Sequence, residues 1–285
     1  MNLLVSCNDH YLVPLQVMLH SFFESNPSSS PHRICLLHAG LSARADDQVR
    51  ELVERHGGEY LSLAVDPTPF EGAATRIHIS RETYYRLLAA GYLPQEMDRV
   101  LWLDADLIVR KPLDSLYRMD LEGNWAAACS YGSQMLPLIL RNASALGLAD
   151  PGKYFNAGVM LYDLDACRKV DFDTPREAFF RKDRHLLFPG QDLVNTLFEG
   201  HVKIVDYRIW NSMIHCIRGP EDLEYARAHA AIVHFPGQAK PWKFNDIHFA
   251  DEWERQYRDC YGPDAPLRRM SYFALQALFN KQNEH

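Results

Sequence analysis

The sequence predicts an α/β protein built on a Rossmann-like mixed sheet flanked by helices. Two observations support this fold class. Short apolar runs alternate with helical patterns from residue 3 to residue 235, which is typical of a sheet covered by helices. The chain has 285 residues, 47% of them hydrophobic, which is enough to bury the core of one large domain or of two small ones.

The first hundred residues contain four predicted strands and three predicted helices. Apolar runs predict the strands, at residues 3–6, 33–37, 60–64 and 99–103. Helical patterns lie between them, at residues 12–23, 43–56 and 81–90. Gly57 and Gly58 end the second helix and Gly91 ends the third, because glycine tolerates the backbone conformation found at helix ends.

The same alternation continues in the second half of the chain. Strands are predicted at residues 125–129, 155–161 and 230–235, and helices at residues 175–181 and 191–199. From Leu267 onward the tail mixes Arg268, Arg269 and Lys281 with apolar residues, which predicts an amphipathic helix. Such a helix either docks on the domain, the interpretation we favour, or contacts an anionic membrane surface.

Charge and cysteine content narrow the class of protein. Lys and Arg number 30 against 37 Asp and Glu, a net charge of −7, and no long basic run is present, so we expect no nucleic-acid partner. The 6 cysteines are scattered singly, which predicts the reduced thiols of an intracellular protein rather than a zinc or redox site. No stretch reaches the roughly 20 apolar residues that span a bilayer.

Two acids interrupt an apolar run after the fourth predicted strand. In Trp-Leu-Asp-Ala-Asp-Leu-Ile-Val, Asp104 and Asp106 are two residues apart, so both side chains face the same way and can share one divalent cation. The carboxyl edge of an α/β sheet is also where ligands bind. Burying two like charges is costly without a compensating cation. These points favour a metal site over the alternative, a surface turn capped by aspartate.

A second group of polar residues follows the last predicted strand, in His-Phe-Pro-Gly-Gln-Ala-Lys-Pro-Trp. His234 offers a nitrogen ligand, and two carboxylates with one imidazole suit Mn²⁺ better than Mg²⁺, which stays possible. A single histidine at a strand end is more often structural. Gly237, which permits close backbone approach, and Lys240, a point charge suited to phosphate, favour a functional interpretation here.

Two further stretches predict contacts with a ligand. Asn156 lies in an apolar strand beside Ala157 and Gly158, as is needed where a ligand lies against the backbone. Gln191 and Asp192 lie in the first turn of a predicted helix. Asp192 has an alternative role, because a carboxylate in this position also stabilises a helix N-terminus electrostatically.

Taken together and in this order, these motifs resemble those of the retaining glycosyltransferases of family 8, which include bacterial lipooligosaccharide galactosyltransferases and glycogenin. The motifs are His78-Ile79-Ser80 followed by Arg86, Asp104-Ala105-Asp106, Phe155-Asn156-Ala157-Gly158, Gln191-Asp192, and His234 with Gly237, Lys240 and Trp242. The resemblance extends over residues 1–245. It implies a catalytic GT-A domain at residues 1–245 and a small C-terminal helical extension at residues 246–285.

The resemblance also implies a UDP-sugar donor and a Mn²⁺ ion held by Asp104, Asp106 and His234. The first loop would receive uridine, with Tyr11 stacking on the base, while Gly237 and Lys240 would hold the diphosphate. The nucleotide-sugar-binding residues that it implies are Ser6, Asn8, Asp9, Tyr11, His78, Ile79, Arg86, Asp104, Ala105, Asn156, Ala157, Gln191, Gly237 and Lys240.

The implied reaction moves a galactose or glucose, with retention, to a glycan or glycolipid acceptor in bacterial surface polysaccharide or lipopolysaccharide synthesis. Gln191 would stabilise positive charge on the sugar, and Asp192 is the second candidate, as a nucleophile. Such an enzyme is expected in the cytoplasm, with the tail as a possible contact to the inner face of the membrane. Two positions depart from the family: Asn8 and Gly190, where many relatives have aspartate. Gly190 leaves open a nucleotide-sugar-binding protein with little turnover.

Overall fold

The computed structural model describes residues 1–70, 81–133, 135–181 and 186–271. The predicted site residues His78 and Ile79 lie outside the described residues, as does the tail from residue 272. Ten strands are described. They are β1 (Asn2–Ser6), β2 (Arg33–His38), β3 (Glu59–Ala64), β4 (Arg99–Leu103), β5 (Leu107–Val109), β6 (Ala126–Ser130), β7 (Phe155–Asp163), β8 (Val202–Val205), β9 (Ser212–Met213) and β10 (Ile232–His234).

Eleven α-helices are described, and several connect successive strands. They are α1 (Leu12–Ser25), α2 (Ala43–Arg55), α3 (Ala89–Tyr92), α4 (Asp114–Tyr117), α5 (Leu136–Leu146), α6 (Leu164–Cys167), α7 (Asp173–Phe180), α8 (Pro189–Leu197), α9 (Tyr207–Trp210), α10 (Pro220–His229) and α11 (Ala250–Tyr261). The helix predicted at residues 81–90 is instead a 3₁₀ helix, Arg81–Leu88, that leads into α3.

Seven strands form the main sheet, in the order β3-β2-β1-β4-β7-β6-β8. β1 to β4 run parallel, whereas β7 runs antiparallel to both of its neighbours, so the sheet is mixed as predicted. Alternate side chains enter two separate cores. Leu4 and Trp102 pack on one face, and Leu3, Val5 and Leu103 pack on the other, because successive residues of a strand point in opposite directions. Apolar layers therefore cover both faces of the sheet.

A small second sheet, in the order β5-β10-β9, extends from the end of β4. The run predicted to carry both acids on one strand is in fact two strands of different sheets, with Asp104, Ala105 and Asp106 in the bend between them. β10 pairs antiparallel with β5 and places His234 opposite Leu107. The Phe235 N–H donates to the Asp106 carbonyl at 3.0 Å, which fixes the histidine strand beside the bend.

The described part of the C-terminal region packs on α1. α11 buries Trp253, and the Tyr261 hydroxyl bonds to Gln16 of α1. The predicted tail helix is wrong for residues 267–271. These are extended, because Met270 forms backbone bonds with Lys243 and Asn245 instead of helical bonds. Within the ranges described, no helix has the length and apolar content that crossing a membrane requires. The boundary at residue 245 stays a prediction.

Candidate active site

A cavity of about 790 Å³ opens where the loops after β1 and β4 meet β7, β10 and the start of α8. It unites most of the residues that the sequence predicted. The predicted residues that line it are Ser6, Asn8, Tyr11, Arg86, Asp104, Ala105, Asp106, Asn156, Ala157, Gln191, His234, Gly237 and Lys240. Asp9 and Asp192 are not among the lining residues.

Asp104, Asp106 and His234 form a cluster that can hold a metal ion. Each offers one ligand atom, and these atoms lie within 4.8 Å of one another. The Nε2 atom of His234 lies 3.3 Å from Asp106 Oδ1, and its Nδ1 atom lies 2.8 Å from the side-chain oxygen of Asn211. An amide oxygen only accepts hydrogen bonds, so Nδ1 carries a proton, and Nε2 is the nitrogen that faces the carboxylate and can bind a metal. The donor set of two carboxylates and one imidazole fits Mn²⁺.

Basic side chains also contact both carboxylates. Arg86, 4% exposed, bonds to Asp104 Oδ1 at 3.0 Å, and the indole N–H of Trp102 donates to the same oxygen at 2.7 Å. Lys240, 6% exposed, forms an ion pair with Asp106 and also donates to the Phe235 carbonyl. Burial raises the pKa of Asp106, but Lys240 and His234 outweigh it and hold that pKa below its ordinary value. Asp106 is therefore a carboxylate at neutral pH.

Gly158 makes room for this cluster. A Cβ atom on Gly158 would lie 2.4 Å from His234 Cε1, 2.9 Å from Asp104 Oδ2 and 3.0 Å from Asn156 Oδ1. The first two distances are shorter than van der Waals contact allows. The nearest atom belongs to the His234 ring, which cannot move aside as the end of a flexible side chain can. Glycine at this position thus lets β7 pass directly behind the metal ligands.

Asn211 joins the cluster to the predicted donor-sugar region. Its side chain accepts from His234 and donates to Asn156 Oδ1 at 2.8 Å. Asn156 in turn accepts from the Gly158 N–H at 2.9 Å and donates to Gln191 Oε1 at 3.1 Å. Asn211 is fully buried, so each of these bonds replaces one to water. A continuous chain of hydrogen bonds therefore runs from the histidine ligand to Gln191.

Gln191 lies in the cavity wall with its amide held from both ends. Nε2 donates to the hydroxyls of Tyr131, at 2.7 Å, and Tyr154, at 3.1 Å. Oε1 also accepts from the Ala157 N–H at 3.3 Å. Four partners fix the orientation of a side chain that otherwise has three rotatable bonds, which is the arrangement expected of a group preorganised for a ligand.

Asp192 is placed behind Gln191 and has no exposed surface. Its Oδ1 atom accepts from the Tyr154 hydroxyl at 2.5 Å and from Asn142 at 2.7 Å, and its Oδ2 atom accepts the Phe188 N–H at 2.9 Å. All three partners point the carboxylate into the protein. Asp192 therefore supports Tyr154 and the start of α8 in this structure, and it does not face the cavity.

The loop after β1 forms the opposite end of the cavity. Tyr11 lies edge-on to Trp242, with ring centroids 5.9 Å apart, and burial raises the pKa of its hydroxyl, which stays protonated at neutral pH. Asn8 caps the 3₁₀ turn Asp9–Tyr11 by accepting from the His10 N–H. Asp9 is exposed and accepts from the Ser42 N–H at 3.1 Å, so it braces α2. The loop thus offers aromatic and amide groups to the cavity.

Gly190 packs against a neighbouring side chain. A Cβ atom here would lie 3.1 Å from Thr83 Oγ1 and 3.2 Å from Thr83 Cβ. Thr83 also lines the cavity. A larger residue at position 190 therefore requires Thr83 to move by a few tenths of an ångström.

Sequence reasoning missed four residues that shape the site: Trp102, Tyr131, Asn211 and His215. Trp102 lies two residues before Asp104, and its apolar character indicated only a core position. Tyr131 follows β6 directly and His215 lies in the 3₁₀ turn Ile214–Cys216. Both line the cavity, and their rings are stacked with centroids 6.3 Å apart. Asn211, between α9 and β9, is isolated in sequence. No local pattern identifies Tyr131, Asn211 and His215, because the groups they contact are distant in the chain.

Comparison with known proteins gives the same assignment as the motifs. The model of the family "Glycosyl transferase family 8" matches residues 2–246. General stress protein A of Bacillus subtilis (strain 168) is 25% identical over 291 residues, covering 97% of this chain and 96% of that protein. Lipopolysaccharide 1,2-glucosyltransferase of Escherichia coli (strain K12) is 27% identical over 172 residues, covering 57% of this chain and 49% of that protein.

Solved structures share the fold. The galactosyltransferase LgtC in complex with donor and acceptor sugar analogs matches with a TM-score of 0.76 and 28% identity, over 94% of this chain and 98% of LgtC. An active-site mutant of LgtC, in which glutamate replaces glutamine, matches with a TM-score of 0.75. Both the fold class and the family predicted from the sequence are confirmed. The chain belongs to glycosyl transferase family 8 and is a glycosyltransferase.

Proposed function

We propose that the protein transfers a hexose, galactose or glucose, from a UDP-sugar to a glycan or glycolipid acceptor with retention of configuration. One observation carries the proposal: a single cavity unites the cluster Asp104–Asp106–His234, the aromatic loop after β1, and the fixed amides of Asn156 and Gln191. A nucleoside diphosphate sugar presents a base, two phosphates and a sugar in series, and the cavity offers a matching chemical group for each part.

In this proposal Asp104, Asp106 and His234 would hold a Mn²⁺ ion. Cleavage of the bond between the anomeric carbon and phosphate leaves negative charge on UDP, and a bound cation supplies Lewis-acid stabilisation of that leaving group. Lys240 adds a positive charge at the same place, since its ammonium lies against Asp106. Gly237 has a φ of +76°, a conformation that suits glycine, and it lets the backbone of this loop line the cavity closely.

Gln191 acts on the sugar in this proposal. Its amide oxygen carries partial negative charge and is suited to stabilise positive charge that develops at the anomeric carbon. An amide is a poor nucleophile, and Asp192 is buried with its oxygens already bonded, so neither residue favours a covalent intermediate. Exchange of acceptor and leaving group on one face of the sugar is the route that fits these groups. Asp192 is then a positioning residue that acts through Tyr154.

The test is UDP release from a panel of UDP-sugars, with and without Mn²⁺ and simple sugar acceptors. We expect one UDP-hexose to be consumed only with Mn²⁺. Asp106→Asn removes a charged ligand and should lower the rate by about 1,000-fold. Asp47→Asn is the matched control, because Asp47 is an exposed carboxylate on α2, outside the cavity. Its rate should equal that of the wild type.

Melting temperature separates the alternatives, because donor binding stabilises the folded state by mass action. If donors raise the melting temperature but no sugar is transferred or hydrolysed, the protein is a nucleotide-sugar-binding protein with little turnover. If no UDP-sugar changes the melting temperature of the folded wild type, the proposed donor class is wrong.

The proposed pathway is bacterial surface polysaccharide or lipopolysaccharide synthesis in the cytoplasm. Two features support it: the similarity to lipopolysaccharide 1,2-glucosyltransferase, and the 6 cysteines, all free thiols in the structure. Burial raises the pKa of Cys35 to about 12, which is typical of an inert thiol in the core. Membrane contact through the tail stays a prediction.

A further inference from the structure

A second cluster of potential metal ligands lies outside the cavity, on the helices that cover the sheet. It consists of His20 and Glu24 on α1 and of His56, the residue that ends α2. His20 and Glu24 are four residues apart, so they lie on the same side of the helix one turn apart. Each residue offers one ligand atom, and these atoms lie within 4.8 Å of one another. None of the three lines the active-site cavity.

The two imidazoles are arranged as metal ligands are. His56 Nδ1 lies 2.9 Å from the Leu52 carbonyl, which only accepts, so this nitrogen carries the proton and Nε2 keeps its lone pair. That lone pair faces His20 Nδ1 at 3.3 Å. Two nitrogens bound to one zinc ion at 2.0–2.1 Å with tetrahedral geometry lie roughly 3.3 Å apart, so the rings already have the required separation.

The surroundings hold the rings in place and leave the ligand atoms accessible. His56 stacks on the buried ring of Phe23 with centroids 4.9 Å apart, and both histidines are half-buried. Glu24 is exposed, so its carboxylate can move towards an ion between the two rings. To bind the ion through Nδ1, His20 needs only to carry its proton on Nε2 instead. Two neutral imidazoles and one carboxylate favour zinc-class ions over Ca²⁺ or Mg²⁺.

We propose that His20, Glu24 and His56 form a Zn²⁺ site that links α1 to the end of α2. The site is separate from the transferase centre. α1 begins beside the cavity, and His20 lies eight residues along it, roughly 12 Å away at 1.5 Å per residue. A bound ion would join two helices of one layer and stabilise the folded protein, with water or another ligand at the fourth position.

Equilibrium dialysis of the full chain against Zn²⁺ tests the proposal through stoichiometry. Because the cluster Asp104–Asp106–His234 also offers zinc ligands, we expect the wild type to bind two ions. Asp106→Asn and His56→Gln should each bind one, and the double variant none. His229→Gln is the control, since His229 is an exposed histidine on α10 outside both clusters, and it should bind two.

The melting temperature of Asp106→Asn should rise with Zn²⁺ concentration, and the rise should disappear in Asp106→Asn with His56→Gln. If His56→Gln fails to fold, the exposed Glu24→Gln replaces it and should weaken this site roughly 10-fold or more. The proposal is wrong if His56→Gln or Glu24→Gln binds Zn²⁺ with the stoichiometry and affinity of the wild type. A failure of UDP-sugar binding would not affect this result, because dialysis contains no donor.

Discussion

The two clusters, Asp104–Asp106–His234 at the sheet edge and His20–Glu24–His56 on the helices, offer the same number of ligands within the same 4.8 Å. They differ in burial and in the charges around them. The carboxylates of the first are 24% and 13% exposed and its imidazole 3%, whereas both imidazoles of the second are half-buried and its glutamate is exposed. Burying two carboxylates costs free energy of folding unless other groups compensate their charge, whereas neutral imidazoles at the surface carry no such cost.

The buried cluster is accordingly surrounded by compensating groups that the surface cluster lacks in the described residues. Arg86, Lys240, Trp102 and Asn211 each bond to one of its ligands. For His56, the corresponding support is one backbone carbonyl and one stacked ring. Many tertiary contacts converge on the buried cluster, so its function should be sensitive to small changes. The surface cluster should respond mainly to loss of a ligand.

Among changes that leave every metal ligand in place, the largest effect should come from filling the space behind the buried cluster. In Gly158→Ala the new methyl group meets the His234 ring, so the ring or β7 must shift. Misplacement of a reacting group by about 1 Å costs on the order of 100-fold in rate, and we expect at least that loss of hexosyl transfer. The measurement is the initial rate of UDP release at saturating donor and Mn²⁺, with folding checked by circular dichroism.

Gly58→Ala is the matched comparison at the surface cluster. A Cβ atom there would lie 2.8 Å from Val53 Cγ1 and 3.0 Å from the Phe23 ring, the ring on which His56 stacks. This variant should lose stability but keep its transfer rate. If Gly158→Ala keeps a wild-type rate, or if Gly58→Ala loses as much activity as Gly158→Ala, the special sensitivity of the buried cluster is refuted.

A smaller effect is expected from Asn211→Ala, which removes the group that orients the histidine ligand. The His234 Nδ1–H would lose its partner, and loss of such a partner lowers metal affinity by about 10- to 100-fold. The concentration of Mn²⁺ that gives half of the maximal rate should rise by this factor, while the rate at saturating Mn²⁺ falls less.

Asn26→Ala is the control for this variant. Asn26 is also a buried amide, bonded to the Phe22 carbonyl and the Leu113 N–H, away from the cavity. It should lose comparable stability with no change in Mn²⁺ dependence. A parallel shift in both variants would mean that general loosening, rather than orientation of His234, sets the metal affinity.

The sequence predicted the strands of the main sheet better than the small helices and the second sheet. The four strands of the first hundred residues have strong apolar runs and lie within two residues of their predicted ends. β5 and β9 have three and two residues, too few for a periodic pattern, whereas β10 lies inside the strand predicted at residues 230–235. The three strands are stabilised by pairing within the small sheet. α5 was missed although it has Pro137 in its first turn and Gly147 at its end with a φ of +82°.

The site could be predicted where its residues are close in sequence or carry a family motif. Asp104, Asp106 and His234 meet as expected, although by a bend between sheets rather than along one strand. Asp192 is different. Its neighbour Gln191 faces the cavity, and its own side chain points away, because adjacent helical residues project about 100° apart. Which of the two faces the cavity depends on how α8 packs against β7, and a linear sequence does not record that.

His215 is a further buried histidine, and it belongs to neither of the two clusters. It shows what burial does to an imidazole. Burial lowers the pKa of His215 to about 4, and the neighbouring side chains His234 and Arg218 act in the same direction. Its Nε2 atom is buried, with no hydrogen-bond partner among the described residues. An unfolded chain binds a proton here near pH 6.5, so between that pH and pH 4 the unfolded state holds more protons than the folded state. The contribution of His215 to the free energy of unfolding is therefore complete above pH 6.5. It falls as the pH drops towards 4 and changes little below that pH.

The loss should reach roughly 3 kcal/mol in the free energy of unfolding at pH 4. His215→Gln keeps a polar side chain without the titration, so its unfolding free energy should depend less on pH in this window, with the curves diverging as the pH falls. Urea unfolding at several pH values measures the effect, and His229→Gln, at an exposed site, should follow the wild type. Curves for His215→Gln and wild type that run parallel from pH 7 to pH 4 would show that this imidazole is protonated in the folded protein, and that burial alone does not keep a histidine neutral at this sheet edge.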